Sequence, residues 1–83
     1  MITIFSKSYC PYCTSAKDFL DGLGKVYEEV DLENHPEKMA EIVQISGMMT
    51  VPQIFDGAIT RENLIGGYTD MITKYEAGEI FVS

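Results

Sequence analysis

The sequence predicts a small α/β domain: a mixed four-stranded sheet flanked by three helices, in the order β-α-β-α-β-β-α. Three observations predict it. Short β-branched or apolar runs alternate with segments whose apolar residues recur at helical spacing. Proline and glycine punctuate the junctions between them. The chain has 83 residues, which gives room for one domain over 1–83 and not two.

Ile2-Thr3-Ile4-Phe5 is a β-branched run that reads as a buried strand. Ser6 to Cys10 is a loop, and Pro11 opens a helix in its first turn, where a missing N–H costs nothing. Ala16, Phe19, Leu20 and Leu23 make one apolar face of that helix, which Gly22 and Gly24 end. Val26 to Asp31 reads as the second strand, with a turn at Glu33-Asn34. Pro36 starts the second helix, whose inner face is Met39, Ile42 and Val43 and whose end is Gly47. Val51-Pro52-Gln53-Ile54-Phe55 reads as a third strand with proline at its beginning. Asp56-Gly57 signals a turn, Ala58 to Asn63 a protruding loop, and Asn63 to Ile65 the fourth strand. After Gly66-Gly67, Thr69 is positioned to cap a last helix with Met71, Ile72 and Tyr75 inside, ended by Gly78 and followed by a tail over 79–83. The first β-α-β joins parallel strands, and the last two strands are close enough in sequence to pair antiparallel.

Composition narrows the function. Six basic against thirteen acidic residues leave a net charge of −7, the wrong sign for a nucleic-acid binder or for docking on anionic membranes. No apolar run approaches the roughly 20 residues needed to span a bilayer. Met1 to Phe5 lacks the basic and apolar regions of a signal peptide, which points to a cytoplasmic protein. Six of the acids lie between Glu28 and Glu41 and read as a solvated face away from the site.

The chemistry points to Cys10 and Cys13, the two cysteines of the chain. A disulfide between them closes a very short loop and so stabilises little, which argues against a structural staple. Zinc needs four ligands, and the one other soft candidate, His35, is distant in sequence, so no metal is expected. Redox chemistry remains. Cys10 precedes Pro11 and is therefore the N-cap of the first helix, where unsatisfied N–H groups and the helix dipole favour a thiolate. The Cys13 N–H and thiol can point at that sulfur, and Lys7 adds positive charge from three residues upstream. Residues i and i+3 share a helix face, so the two sulfurs can bond with little backbone movement. Cys13, nearer the core, stays protonated until needed. Tyr12 points outward, where it can contact a bound thiol.

Cys10-Pro11-Tyr12-Cys13 after a short strand, Thr50-Val51-Pro52 before a later strand, and Gly66-Gly67-Tyr68-Thr69-Asp70 before the last helix together resemble a dithiol glutaredoxin. The resemblance runs from Met1 to about Tyr75. It implies a thioredoxin-like fold and a glutathione-dependent thiol–disulfide oxidoreductase with glutathione as co-substrate. It maps a cis-proline facing the cysteines onto Pro52, which leaves the Val51 backbone to pair with glutathione as an added strand. It maps the γ-glutamyl end onto Gly67, Tyr68, Thr69 and Asp70, and the glycine carboxylate onto Lys7. Thr50 and Tyr12 complete the expected glutathione-binding set. Met48 and Met49 stand where relatives often carry a basic or polar residue.

The implied partners are glutathione and glutathionylated or disulfide-containing proteins, with the chain a monomer. The rival reading is a dedicated electron donor to a partner such as ribonucleotide reductase, recharged by thioredoxin reductase and docked through the 58–63 loop. A third reading, an iron–sulfur cluster held between two subunits by Cys10 and glutathione, is disfavoured by proline at position 11.

Overall fold

β1 (Ile2–Ser6) is buried along its whole length. Its side chains alternate between two apolar clusters, as the period of a strand requires. Ile2 and Ile4 join Ala16, Leu20, Ile54, Ile65 and Met71, whereas Phe5 joins Leu32, Ile42 and Phe55. A strand buried on both faces needs cover on both. α1 (Pro11–Gly22) and α3 (Tyr68–Glu76) supply residues to the first cluster, and α2 (Pro36–Ser46) to the second. This computed structural model describes residues Met1–Val82; Ser83, the end of the expected tail, lies outside the described residues.

β2 (Tyr27–Asp31), β3 (Gln53–Asp56) and β4 (Leu64–Gly66) complete one sheet in the order β2-β1-β3-β4. β1 and β2 run parallel, Ile2 opposite Tyr27 and Ser6 opposite Asp31. β3 runs antiparallel to both β1 and β4. The fold class and element order match the expectation, and the carboxyl ends of the two parallel strands reach the edge where α1 begins. Such an edge is where open α/β sheets gather their functional groups.

Several boundaries differ for identifiable reasons. Val26 is exposed and stays outside β2, which starts at Tyr27. Val51 and Pro52 precede β3 rather than opening it; proline has no N–H to offer a ladder. The inner face of α2 is Met39, Ile42 and Ile45, with Ile45 in the place expected for Val43. β4 begins at Leu64 because Arg61–Asn63 forms a short 3₁₀ turn. The 58–63 segment is not a protruding loop: Ile59 packs against the Phe5–Phe55 cluster, and the Asn63 amide donates to the Ala58 carbonyl at 3.0 Å. The tail is packed through Ile80 and Phe81, the latter 5.6 Å beneath the Lys25 ammonium. Among the described residues no helix is long and apolar enough to cross a membrane.

Candidate active site

The site is built at the start of α1. Cys10 is its N-cap, in extended conformation (φ −110°, ψ 102°), and Pro11 follows at the first helical position. The Cys13 N–H donates to Cys10 Sγ at 3.2 Å, so one of the orphan amides of the helix start is aimed at the sulfur. That arrangement gives the Cys10 sulfur a hydrogen-bond donor from the helix start. The two cysteines are paired as a disulfide with Cα atoms 5.2 Å apart, well within the span that a disulfide bridges.

The two sulfurs are not equivalent. Cys10 is half-buried, whereas Cys13 is 1% exposed. In the dithiol form, burial pushes the Cys13 thiol up to about 12, and its hydrogen bond with Cys10 adds to the rise. The Lys7 backbone and the Lys17 charge pull the other way. Cys13 is therefore a protonated, sheltered thiol at neutral pH. Just before Cys10, fully exposed Tyr9 sits in the left-handed region (φ 57°), a rare place for a bulky residue.

A second wall comes from the segment before β3. Gln53 is fully buried, and its Nε2 donates to the Met48 carbonyl at 2.8 Å and the Thr50 carbonyl at 3.1 Å. Ser46 Oγ accepts the Met48 N–H at 3.0 Å. These bonds clasp the segment so that the Val51 carbonyl faces Cys10, its oxygen 3.8 Å from Sγ, where the thiol of the dithiol form can donate to it. The Val51–Pro52 peptide is cis, as the resemblance implied.

The third wall is the start of α3. Here the N-cap is Gly67, not Thr69, which lies inside the first turn. Asp70 folds back, and its Oδ2 accepts the Gly67 N–H at 3.0 Å. The sequence suggested a hydroxyl cap for the first-turn amides; the carboxylate three residues into the helix instead accepts the N–H of the N-cap itself, the reciprocal half of a capping box. Gly66, at φ 120°, makes room: a Cβ there would lie 2.6 Å from Asp70 Oδ2.

Two depressions flank the cysteines. A groove of about 330 Å³ brings together Tyr12, Thr50, Val51, Pro52, Gly67, Tyr68, Thr69 and Asp70, with Met48 completing the wall. Tyr12 and Tyr68 face each other across it, ring centroids 6.1 Å apart. Lys7 is elsewhere. It lines a larger depression of about 640 Å³ on the other side of Cys10, together with Pro11, Cys13, Lys17, Glu29 and Asp31. Two of the acids read as a distant solvated face, Glu29 and Asp31, thus line the same depression as the cysteines.

The glutaredoxin family model matches residues 2–59. The chain belongs to the glutaredoxin family. It is 39% identical to a glutaredoxin of Neisseria meningitidis over 79 residues, covering 93% of this chain and 87% of that protein. It is 37% identical to glutaredoxin 3 of Escherichia coli over 70 residues, covering 84% of this chain and 80% of that protein. Among solved structures, a buckwheat glutaredoxin–glutathione complex superposes with a TM-score of 0.84 at 32% identity, over 95% of this chain and 71% of that one. The Brucella melitensis glutaredoxin gives 0.77 at 34% identity, over 95% and 82%. With its vicinal cysteine pair in the glutaredoxin fold, the chain is a thiol–disulfide oxidoreductase.

Three features of the site were not anticipated. Gln53 as a clasp is signalled only by an amide inside an apolar run. Glu29 reaches Ser6 and Lys17 only through the β1–β2 register. Lys17, four residues after Cys13, shares its helix face, a spacing visible in the sequence. Among the described residues no cluster of three or more metal-ligating side chains is present.

Proposed function

We propose that this oxidoreductase uses glutathione, reducing glutathionyl mixed disulfides with Cys10 alone and protein disulfides with Cys10 and Cys13 together. The observation that carries the reading is the position of Cys10 Sγ. It lies between the helix N-terminus, 3.2 Å from the Cys13 N–H, and the Val51 carbonyl, 3.8 Å away, on a groove wall.

The glutathione cysteine pairs with the Val51 backbone beside Pro52, as one added strand. The γ-glutamyl carboxylate meets the N-terminus of α3 at Gly67, Tyr68 and Thr69. Its ammonium meets Asp70, whose Oδ1 does not take part in the cap. Thr50 borders the groove at the glycine end. Lys7, an exposed cation on a long stem, is assigned the glycine carboxylate. Tyr12 and Tyr68 cover the thiol-bearing backbone between them. That a buckwheat relative has been solved with glutathione supports the assignment.

In the reaction, the Cys10 thiolate attacks the glutathionyl sulfur of a mixed disulfide, and the substrate thiolate leaves and takes up a proton. A second glutathione, as thiolate, attacks the glutathionyl sulfur on Cys10, which releases oxidised glutathione and regenerates the Cys10 thiolate. With a protein disulfide, Cys10 forms the mixed disulfide and Cys13 displaces the substrate thiol. A Cys10–Cys13 disulfide results, which two glutathiones reduce. A reducing compartment, the cytoplasm, is the setting for this cycle.

The test is turnover of a glutathionylated peptide and of a protein disulfide, recharged by glutathione with its reductase or by thioredoxin reductase. Cys10→Ser abolishes both reactions. Cys13→Ser keeps the first and loses the second. Equal loss in both variants, or recharging by thioredoxin reductase alone, overturns the reading; the latter favours a dedicated donor to a partner such as ribonucleotide reductase.

A further inference from the structure

We propose that Lys17, held in place by Glu29 and Ser6, is a positioning residue for the second half of the dithiol reaction, its ammonium stabilising the thiolate that forms at Cys13. The proposal rests on the reading of Cys10 as the attacking sulfur and Cys13 as the resolving one.

A resolving thiol must ionise to attack, and Cys13 is enclosed by the protein at 1% exposure. Enclosure disfavours its charged form unless a cation stands nearby. Lys17 follows Cys13 by four residues on α1, so the two side chains share one helix face. Both line the larger depression, on the side of Cys10 away from the glutathione groove. The lysine is anchored. Its Nζ donates to Glu29 Oε2 at 2.9 Å, and the same oxygen accepts Ser6 Oγ at 2.6 Å. Ser6 is buried at the end of β1, and Glu29 is on the adjacent strand β2. Three elements therefore converge to fix one ammonium on the depression that the buried sulfur also lines. The Lys17 charge also favours ionisation of Cys13, against the larger effect of burial.

The other charged side chains on this depression are Lys7 and Asp31. Lys7 is exposed, and Asp31 is engaged by the Glu33 N–H at 2.9 Å and the Asn34 amide at 2.6 Å. Lys17 is the cation that the fold immobilises. In the step, the Cys13 thiol gives its proton to solvent in the open depression. Its sulfur then attacks Cys10 of the mixed disulfide. The Cys10–Cys13 bond forms, the bond from Cys10 to the substrate sulfur breaks, and the departing thiolate takes up a proton. Electrons and protons balance, and no further oxidant is needed.

The experiment loads Cys10 with one glutathionyl group and follows release of glutathione by acid quench and mass spectrometry, in wild type, Lys17→Met and Lys17→Arg. Lys17→Met slows release at least tenfold, about 1.4 kcal/mol of barrier, and Lys17→Arg stays within threefold of wild type. In a Cys13→Ser background, where no resolution takes place, Lys17→Met leaves reduction of a glutathionylated peptide within twofold. The proposal is overturned if Lys17→Met releases glutathione within threefold of wild type. It is equally overturned if Arg fails to restore the rate, or if the first step slows as much as the release, since Lys17 would then serve the fold or Cys10. Failure of the underlying reading looks different: wild type would not release glutathione, or Cys13→Ser would release it just as fast.

Discussion

Gly66→Ala strikes the fold and the site together, and its cost can be worked from the structure. Gly66 has φ 120°, and an added Cβ would lie 2.6 Å from Asp70 Oδ2 and 2.7 Å from Asp70 Cβ. An L-residue in the left-handed region costs about 1–2 kcal/mol. Forcing a methyl into a packed contact adds about 1–3 kcal/mol. If Asp70 swings away to relieve the clash, the cap on Gly67 goes, at about 1 kcal/mol. The total is roughly 3–6 kcal/mol, a large share of the about 5–15 kcal/mol that a domain possesses. Gly78 is the control: φ is 73°, and a Cβ would meet nothing within 4 Å. Gly78→Ala should therefore lose only about 1–2 kcal/mol, the backbone part alone. Urea denaturation of both variants with a common slope measures the difference. If the two variants fall within about 1 kcal/mol of each other, the close approach of Asp70 to Gly66 carries no energetic weight, and the reasoning fails. Turnover gives a second readout. Displacing Asp70 should raise KM for a glutathionylated peptide more than it lowers kcat.

The clasp can be tested by Gln53→Leu, which leaves the Met48 and Thr50 carbonyls without their donor. A loss of about 2 kcal/mol in urea denaturation is expected, with a raised KM as the Val51 segment loosens; an unchanged KM would show that the segment holds itself. A pH prediction follows from Cys13. Its thiol keeps its proton up to about 12 when folded, against an ordinary value of 9.0. Between those limits the unfolded chain binds fewer protons than the folded one, so stability falls as pH rises. In the presence of reductant, the urea midpoint of wild type should drop from pH 9 to 11 more steeply than that of Cys13→Ala; parallel curves would refute the burial of that thiol.

Much of the fold was legible because its local signals agree with its tertiary demands. Ile2 to Phe5 is apolar on both faces and lies centrally in the sheet, covered on both sides. Pro11 and Pro36 each stand at the first position of a helix. The capping geometry at Cys10 was legible for the same reason: a cysteine immediately before a helix-opening proline is an N-cap, and the Cys13 amide is where that geometry puts it. What was not legible depended on register or on long-range clasps. Thr69 has the chemistry of a cap, but Asp70 reaches back to Gly67 and moves the helix start two residues earlier than a Thr69 cap would allow. The 58–63 stretch looked free because its anchor is a single residue, Ile59, whose partners Phe5 and Phe55 are far away or across a turn. Glu29 read as one acid in a run. Only the pairing of β1 with β2 brings it to Ser6 and Lys17.

The central claim is that glutathione occupies the groove between Val51 and the start of α3, with its sulfur on Cys10. The most direct measurement is the backbone amide spectrum of Cys13→Ser before and after one glutathionyl group is attached to Cys10. The largest shifts are expected at Val51, Gly67, Tyr68, Thr69 and Asp70. Shifts confined to Ser8, Thr14, Lys17 and Asp31 would put the tripeptide in the opposite depression and contradict the account.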